Sequence, residues 1–340
     1  MLQARQLGKE LYVGVHSDEE ILINKGPPVM KLEERVRAVD GCRWLTHTVP
    51  GAPYVTLVEV MDKYGCPYVV HGDDITTDAN GEDSYQKVKD LGKFVVVKRT
   101  PNILTTDLVG RMLLMSKNHH FRPIRNVSEH QLSNKEEYLT RFRGYASDES
   151  GLHPGAGVFI YLGQEAKVHE LVSPSVATKD KMKSIFYVDG GFDLFHPGHI
   201  EVLRLVSAEA AQSNSAVVVG VHDDMTVNQE KGLNYPIMNI FERSLCILLS
   251  SYIDAVVLGV PFIPTRDTLA KFPGKVTAVF HGPTHIDDST YDEVKRKGLF
   301  RTIPDHPYKD MDTASIVNRV LENKALFEER QRKKGWKAIH

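Results

Sequence analysis

Two histidines three residues apart, His196 and His199, follow a short apolar run at 184–188 and a pair of glycines. This order of strand, glycine turn, histidine pair and helix is typical of a phosphate-binding site, because glycines allow the backbone to approach an anion. The first turn of the helix adds its amide groups and its positive dipole end, and both histidines can reach one phosphate from there. The alternative is a capping histidine beside a fragment of a metal site, which needs a third ligand and acidic neighbours that the sequence does not identify.

The sequence around these histidines is one of two copies of the same pattern, and such a repeat decides the architecture. The run Val-Gly-Val-His occurs at 13–16 and at 219–222, and a Lys-Gly pair begins nine residues after each of its histidines. A Pro-x-Met segment follows in both copies, with an arginine five residues after the methionine. Matching positions include Lys25 and Lys231, Arg35 and Arg243, His71 and His281, and Tyr85 and Tyr291.

Short β-rich runs alternate with helical patterns in both copies. This alternation predicts crossover connections and parallel sheets that are covered on both faces. The predicted fold is α/β, with two tandem Rossmann-like domains at 1–115 and 184–340. Residues 116–183 are mostly polar with Gly and Pro, apart from one short helical pattern, and are predicted to be a linker.

The N-terminal copy is shorter at its beginning. Val219 lies 35 residues after Ser184, whereas Val13 lies 12 residues after Met1. About 23 residues are therefore missing if each copy is one complete crossover unit. They would hold the first strand, the glycine turn and the histidine pair. We expect an incomplete chain whose N-terminal domain lacks its first strand and has weak or no activity.

The composition excludes several classes of protein. A net charge of −2 and a pI near 6.7 provide no broad basic field, so nucleic acid is a poor candidate for the partner. Three widely spaced cysteines do not suit a disulfide framework and favour the reducing cytoplasm. No run approaches the roughly 18 apolar residues that a membrane span needs.

Several segments together resemble the cytidylyltransferase family of HxGH nucleotidyltransferases: VDGGFDLFHPGH at 188–199, the Lys-Gly pairs, the Pro-x-Met segments and HGDD at 71–74. The resemblance implies that a phosphomonoester attacks the α-phosphorus of CTP directly, with Mg²⁺ bridging the triphosphate. Two linked copies resemble the branch that converts CTP and phosphoethanolamine to CDP-ethanolamine and pyrophosphate in phosphatidylethanolamine biosynthesis. The choline-phosphate branch has a single catalytic domain followed by a long amphipathic membrane helix.

The resemblance also implies roles for individual residues, with no metal held by protein side chains. His196 and His199 would hydrogen-bond the phosphates as catalytic residues, and Lys25 and Lys231 would contact the phosphates as point charges. Asp189 would hold the primary ammonium group. The further CTP-binding residues would be Gly190, Phe192, Arg35, Arg243, Arg99, Thr105 and Thr106, and the further phosphoethanolamine-binding residues His71, Asp73 and Tyr85. The alternatives are solvated loop lysines, an ordinary strand-end histidine at 71 and a packing tyrosine at 85.

The closing motif of the family, R-T-E-G-I-S-T, is altered in both copies. The first copy keeps Arg99, Thr105 and Thr106 but replaces other positions, and the second has a longer segment at 301–315. Two other functions stay open: a nucleotide-binding regulatory protein without catalysis, and a related nucleotidyltransferase for choline phosphate or pantetheine phosphate. A homodimer and a weak peripheral contact with the endoplasmic reticulum, through the charged tail at 327–336, also stay open.

Overall fold

The computed structural model describes residues 1–98, 105–114, 135–163, 168–232, 234–284 and 287–333. The chain divides into two compact units. The N-terminal unit consists of residues 1–40, 44–114 and 314–340, and the C-terminal unit of residues 41–43 and 115–313. None of the helices in the described ranges is long and apolar enough to cross a membrane.

Short strands and helices alternate along the first part of the N-terminal unit. The strands are β1 (Tyr12–His16), β2 (His47–Ala52), β3 (Val69–Gly72) and β4 (Phe94–Val97). The helices are α1 (Leu2–Arg5), α2 (Asp18–Lys25), α3 (Leu32–Asp40), α4 (Val58–Lys63), α5 (Gln86–Asp90) and α6 (Thr105–Leu114).

These four strands form two separate parallel pairs, β1 with β2 and β3 with β4. Tyr12 lies opposite His47 in the first pair, and Val69 lies opposite Phe94 in the second. Most residues of β1 and all residues of β3 are only partly buried, although both runs are apolar. The N-terminal strands therefore have an incomplete cover.

The C-terminal unit contains seven strands among its described residues, and the last two helices of the chain follow it. The strands are β5 (Gly157–Ile160), β6 (His169–Val172), β7 (Ser184–Gly190), β8 (Ala216–His222), β9 (Ala255–Val260), β10 (Lys275–His281) and β11 (Phe300–Thr302). The helices are α7 (Lys135–Tyr145), α8 (Val176–Lys181), α9 (Pro197–Gln212), α10 (Asp224–Lys231), α11 (Ile240–Leu248), α12 (Arg266–Leu269), α13 (Asp292–Arg296), α14 (Thr313–Glu322) and α15 (Lys324–Lys333), with a short 3-10 helix at Asp288–Tyr291.

A single sheet runs through the C-terminal unit in the order β11-β10-β7-β8-β9-β5-β6. Neighbouring strands are parallel except for β6, which is antiparallel to β5. Every residue of β8 is buried, and α9 and α11 pack against this strand. An apolar run without polar alternation is typical of a strand that is covered on both faces. The predicted α/β fold with parallel sheets is confirmed.

The two units share an arrangement that the repeat explains. The pairs β1–β2 and β3–β4 match β8–β9 and β10–β11 in sequence, and β7 lies between β8 and β10 in the C-terminal unit. In the part of the N-terminal unit that is described, no strand joins β1 to β3. This agrees with the expectation that the N-terminal copy lacks the counterpart of β7.

The unit boundaries differ from the predicted ones in two places. Residues 116–183, predicted to be a linker, contribute β5 and β6 to the C-terminal sheet, where Gly157 lies opposite Ala255 of β9. Residues 314–340, predicted to belong to the C-terminal domain, join the N-terminal unit, where Arg319 donates hydrogen bonds of 2.7 and 2.9 Å to Glu34. Both differences depend on contacts between distant residues, which local sequence patterns do not reveal.

Candidate active site

A cavity of about 150 Å³ lies in the C-terminal unit, where β7, β8 and β10 end. The carboxyl ends of parallel strands are the usual ligand site of open α/β sheets. Five of the residues that line this cavity come from different elements: Asp189 from β7, His199 from α9, His222 from β8, Lys231 from α10 and His281 from β10. The cavity is thus assembled from the ends of consecutive crossover units.

The loop between β7 and α9 has a tightly constrained backbone. Phe192 and Leu194 adopt left-handed conformations with φ of 51° and 48°, which non-glycine residues rarely take. The carboxylate of Asp193 holds the loop, because it accepts the backbone N–H groups of Ile237 and Met238 at 2.7 and 2.9 Å. Such strain persists only where the surrounding structure enforces it, and here it shapes the wall of the cavity.

Helix α9 begins directly at the histidine pair. His196 is its N-cap, Pro197 occupies the first helical position, and Gly198 follows. Proline is favoured there because its missing N–H would have no partner in the helix. A Cβ atom at Gly198 would lie 2.9 Å from the carbonyl oxygen of Met311, so no larger residue fits between the histidines. The spacing of the motif therefore has a packing reason as well as a chemical one.

The two histidine rings stack with their centroids 3.8 Å apart, and both line the cavity. The backbone N–H of His196 donates to Nδ1 of His199 at 3.4 Å. Burial, reinforced by His196 and Lys231, lowers the pKa of His199 well below its usual value. His199 is therefore neutral, and because Nδ1 accepts a hydrogen bond, Nε2 carries the proton and can donate it to a ligand oxygen.

A second polar group of the cavity contains a buried carboxylate. The hydroxyl of Tyr291 donates to Oδ1 of Asp189 at 2.5 Å, and its oxygen lies 3.0 Å from Nδ1 of His281. Burial raises the pKa of Asp189 to about 7, and the hydrogen bond from Tyr291 opposes this rise. A cationic ligand would restore the charged form of Asp189, so this end of the cavity suits an ammonium group.

Arg243, predicted to bind CTP, is not among the residues that line the cavity. Its side chain is 0% exposed and forms an ion pair of 2.7 Å with Asp224. The guanidinium also donates to the carbonyl oxygens of Met238, His222 and Gly191 at 3.0, 2.8 and 2.5 Å. Arg243 therefore ties the glycine turn to the end of β8 through hydrogen bonds to the protein.

Arg35, the counterpart of Arg243, makes corresponding contacts in the N-terminal unit, apart from the one to the glycine turn. It donates to the carbonyl oxygens of Met30 and His16 at 3.0 and 2.8 Å and pairs with Asp18 at 2.5 Å. The side chain is 17% exposed, against 37% for Asp18. Its contact with CTP stays a prediction, and the contacts that the structure describes are with the protein.

The other predicted residues divide between the two units. Asp189, Gly190, Phe192, His196, His199 and Lys231 all line the C-terminal cavity. Lys25, His71, Asp73 and Tyr85 belong to the N-terminal unit, where the His71 and Tyr85 rings lie 4.7 Å apart and Lys25 Nζ lies 5.3 Å from the centroid of the Tyr54 ring. Arg99 lies outside the described residues, and Thr105 and Thr106 begin α6 with side chains that the structure does not describe.

Some residues of the cavity were not predicted to belong to the site. His281 and Tyr291 were recognised only as matches of His71 and Tyr85, although the repeat itself could have identified them as site residues. His222 is the last residue of β8, and burial lowers its pKa to about 4. The segment 308–313 also contributes to the lining, and the sequence indicated it only as part of the altered counterpart of the closing motif at 301–315.

Comparison with known proteins identifies the family of this chain. The sequence model of the cytidylyltransferase-like family matches residues 1–130 and 187–319. The chain is 39% identical to the ethanolamine-phosphate cytidylyltransferase of Mus musculus, over 99% of this chain and 85% of the relative. It is 38% identical to that of Dictyostelium discoideum, over 99% and 90%. A choline-phosphate cytidylyltransferase of Arabidopsis thaliana is 33% identical over only 42% of each chain.

Proposed function

Since the chain belongs to the cytidylyltransferase-like family, and within it to the ethanolamine-phosphate cytidylyltransferases, we propose that it transfers CMP from CTP to phosphoethanolamine. The products would be CDP-ethanolamine and pyrophosphate, and the reaction belongs to phospholipid biosynthesis. The resemblance inferred from the motifs and the match to the relatives agree on this family.

One observation carries the proposal: a single cavity holds the histidine pair and the Asp189 group together. The histidines lie at the N-terminus of a 16-residue helix, where amide groups and the helix dipole favour an anion. Asp189 lies at the end of the neighbouring strand and suits a primary ammonium group. A nucleotide phosphate and an aminoalkyl phosphate can therefore be held side by side.

The mechanism requires positioning more than covalent chemistry. A phosphate oxygen of phosphoethanolamine attacks the α-phosphorus of CTP, the bond from that phosphorus to the β-phosphate oxygen breaks, and pyrophosphate leaves. Nε2–H of His199, the first amides of α9 and the ammonium of Lys231 would stabilise the charge that develops on the phosphate oxygens. Asp189 would orient the nucleophile by holding its other end.

Mg²⁺ is part of the proposal as a partner of CTP. Among the described residues, no group of three or more His, Cys, Asp and Glu side chains could hold a metal ion. Glu230 and Asp312 line the cavity, and one or two carboxylates plus substrate phosphates is the usual ligand set of Mg²⁺. These residues would hold the ion, which would neutralise phosphate charge when bound.

A second function is favoured by the altered closing segment. If the segment at 301–315 cannot complete the site, the C-terminal unit would bind CTP without turnover and act as a regulatory nucleotide-binding unit. Turnover and binding must therefore be measured separately.

We also propose a cytoplasmic protein, which the three free cysteines support. A homodimer and a peripheral membrane contact are part of the same proposal, to be tested by sedimentation and vesicle flotation.

The test is pyrophosphate release by the full chain with CTP and Mg²⁺, with phosphoethanolamine or phosphocholine as the second substrate. We expect a clear preference for phosphoethanolamine, since a trimethylated ammonium cannot donate hydrogen bonds to Asp189. His199→Ala should lower turnover by the C-terminal unit by about 2–4 kcal/mol of transition-state stabilisation and also weaken its CTP binding. His153→Ala, at an exposed position of the same unit, should change neither. Equal use of the two substrates, or of ATP in place of CTP, would contradict the proposal. Binding without turnover would favour the regulatory function.

A further inference from the structure

The segment between β11 and α14 lies against the first turn of α9. The carbonyl oxygen of Met311 lies 2.9 Å from the place where a Cβ of Gly198 would be. The hydroxyl of Thr313 donates to the carbonyl oxygen of Asp193 at 3.1 Å. This end of the segment is therefore anchored on the same helix turn and loop that carry the histidine pair.

Lys309 lies just before these anchors, in a turn that the backbone stabilises. Its N–H donates to the carbonyl oxygen of His306 at 3.1 Å, and the N–H of Met311 donates to that of Tyr308 at the same distance. Tyr308, Lys309 and Met311 all line the cavity. The turn thus brings a lysine to the cavity without any contribution from a helix or strand.

The ammonium group of Lys309 forms an exposed ion pair. Its Nζ lies 2.6 Å from Oδ2 of Asp305, and the two side chains are 41% and 83% exposed. An exposed pair of this kind contributes little to stability, so a phosphate can replace the carboxylate at little cost. Asp305 is not among the residues that line the cavity.

The charged residues among the described residues that line the cavity leave a role for this lysine. The carboxylates are those of Glu230, Asp312 and Asp189, and the ammonium groups are those of Lys231 and Lys309. His199 is neutral, so it can donate a hydrogen bond but cannot supply positive charge. A triphosphate therefore has two protein cations to neutralise it, one from α10 and one from the segment after β11.

We propose that Lys309 is a phosphate-binding residue of the C-terminal site and exchanges Asp305 for a phosphate of the bound nucleotide. The inference rests on the proposed binding of CTP in this cavity. The segment at 303–312 would then close on the nucleotide in the copy whose closing motif is altered. The contact is made to the phosphates, so its strength depends on the phosphate chain and not on the base.

The test compares the affinity of the full chain for CTP, CDP, CMP and cytidine by calorimetry. The part of CTP binding that His199→Ala removes is assigned to the C-terminal site. Lys309→Ala should weaken that part about ten- to a hundredfold, as expected for loss of a charge-assisted hydrogen bond, with a smaller effect on CMP and none on cytidine. Asp305→Asn should leave CTP affinity unchanged or raise it, because the competing carboxylate is removed.

Lys183→Ala is the matched control, because Lys183 forms a similar exposed pair of 2.8 Å with Asp180 in the same unit and does not line the cavity. It should leave CTP affinity unchanged. An equal loss of affinity for CTP and cytidine in Lys309→Ala would show a structural role and overturn the inference. Unchanged CTP affinity in that variant would overturn it as well. If the unmodified chain does not bind CTP at the C-terminal site, the proposed function itself fails, and the inference fails with it.

Discussion

Arg243→Met removes the side chain that joins the glycine turn to the end of β8 through direct hydrogen bonds. The variant loses the ion pair with Asp224, whose side chain is 1% exposed, and leaves that carboxylate buried without its cation. Breaking a buried pair from one side costs about 3–5 kcal/mol. Three carbonyl oxygens also lose the hydrogen bond that Arg243 donates, and one of them belongs to Gly191 beside the cavity.

Arg35→Met is the matched comparison, because Arg35 has the same contacts except the one to a glycine turn. Asp18 is 37% exposed, so water can solvate its carboxylate after the change. We expect a loss of about 1–2 kcal/mol, which reflects a screened ion pair and weaker hydrogen bonds. The difference between the two variants combines the effect of burial with the loss of the hydrogen bond to Gly191.

Hydrogen exchange with mass spectrometry measures each unit separately, which a single unfolding curve of a two-unit chain does not. Peptides from β7 and β8 should lose about 3–5 kcal/mol of opening free energy in Arg243→Met, and those from β1 and β2 about 1–2 kcal/mol in Arg35→Met. Adding Asp224→Asn to Arg243→Met should recover about 1 kcal/mol or more, because no buried charge remains. Equal losses in the two single variants, or no recovery in the double variant, would refute this account of Arg243.

Two further predictions concern the cavity. Because burial raises the pKa of Asp189 to about 7, its carboxyl is protonated below that pH and cannot pair with an ammonium group, so phosphoethanolamine affinity should rise as the pH increases through about 7. Calorimetry across this range should show a smaller rise in phosphoethanolamine affinity for Asp189→Asn. The rise that remains would come from ionisation of the phosphate group of the ligand. Gly198→Ala should destabilise the C-terminal unit by about 1–3 kcal/mol, because the added Cβ meets a backbone oxygen at 2.9 Å. Gly163→Ala, whose Cβ would come no closer than 3.8 Å to the described residues, should cost little when both variants are measured by the same hydrogen exchange, and equal costs would contradict the packing argument.

The sequence by itself determined the fold class and the place of the histidine pair at the start of a helix. The strand, the glycine turn and the histidine pair are contiguous, so their order along the chain already places His196 and His199 at a helix N-terminus. The repeat determined which strands of the two units correspond, because matching spacing reports matching crossover units. The repeat also indicated that no strand lies between β1 and β3. In the described part of the N-terminal unit, these strands belong to two separate sheets.

Only the tertiary structure decided what Arg243 does. The Pro-x-Met segment and the arginine after it look the same whether the guanidinium points to a ligand or to the protein. Burial and four acceptors, provided by Met238, His222, Gly191 and Asp224, assign it to the protein. These acceptors come from segments up to 52 residues away, which local patterns cannot bring together.

The tertiary structure also decided the extent of each unit and the full lining of the site. The short run at 157–160 reads as part of a linker until it pairs with β9, and the helix that follows the C-terminal sheet joins the other unit through Arg319 and Glu34. Lys309 stands in a polar segment without periodicity, and contacts of its neighbours with Gly198 and Asp193 bring it to the cavity. Such positions depend on which surfaces pack together, and local sequence patterns do not predict long-range packing.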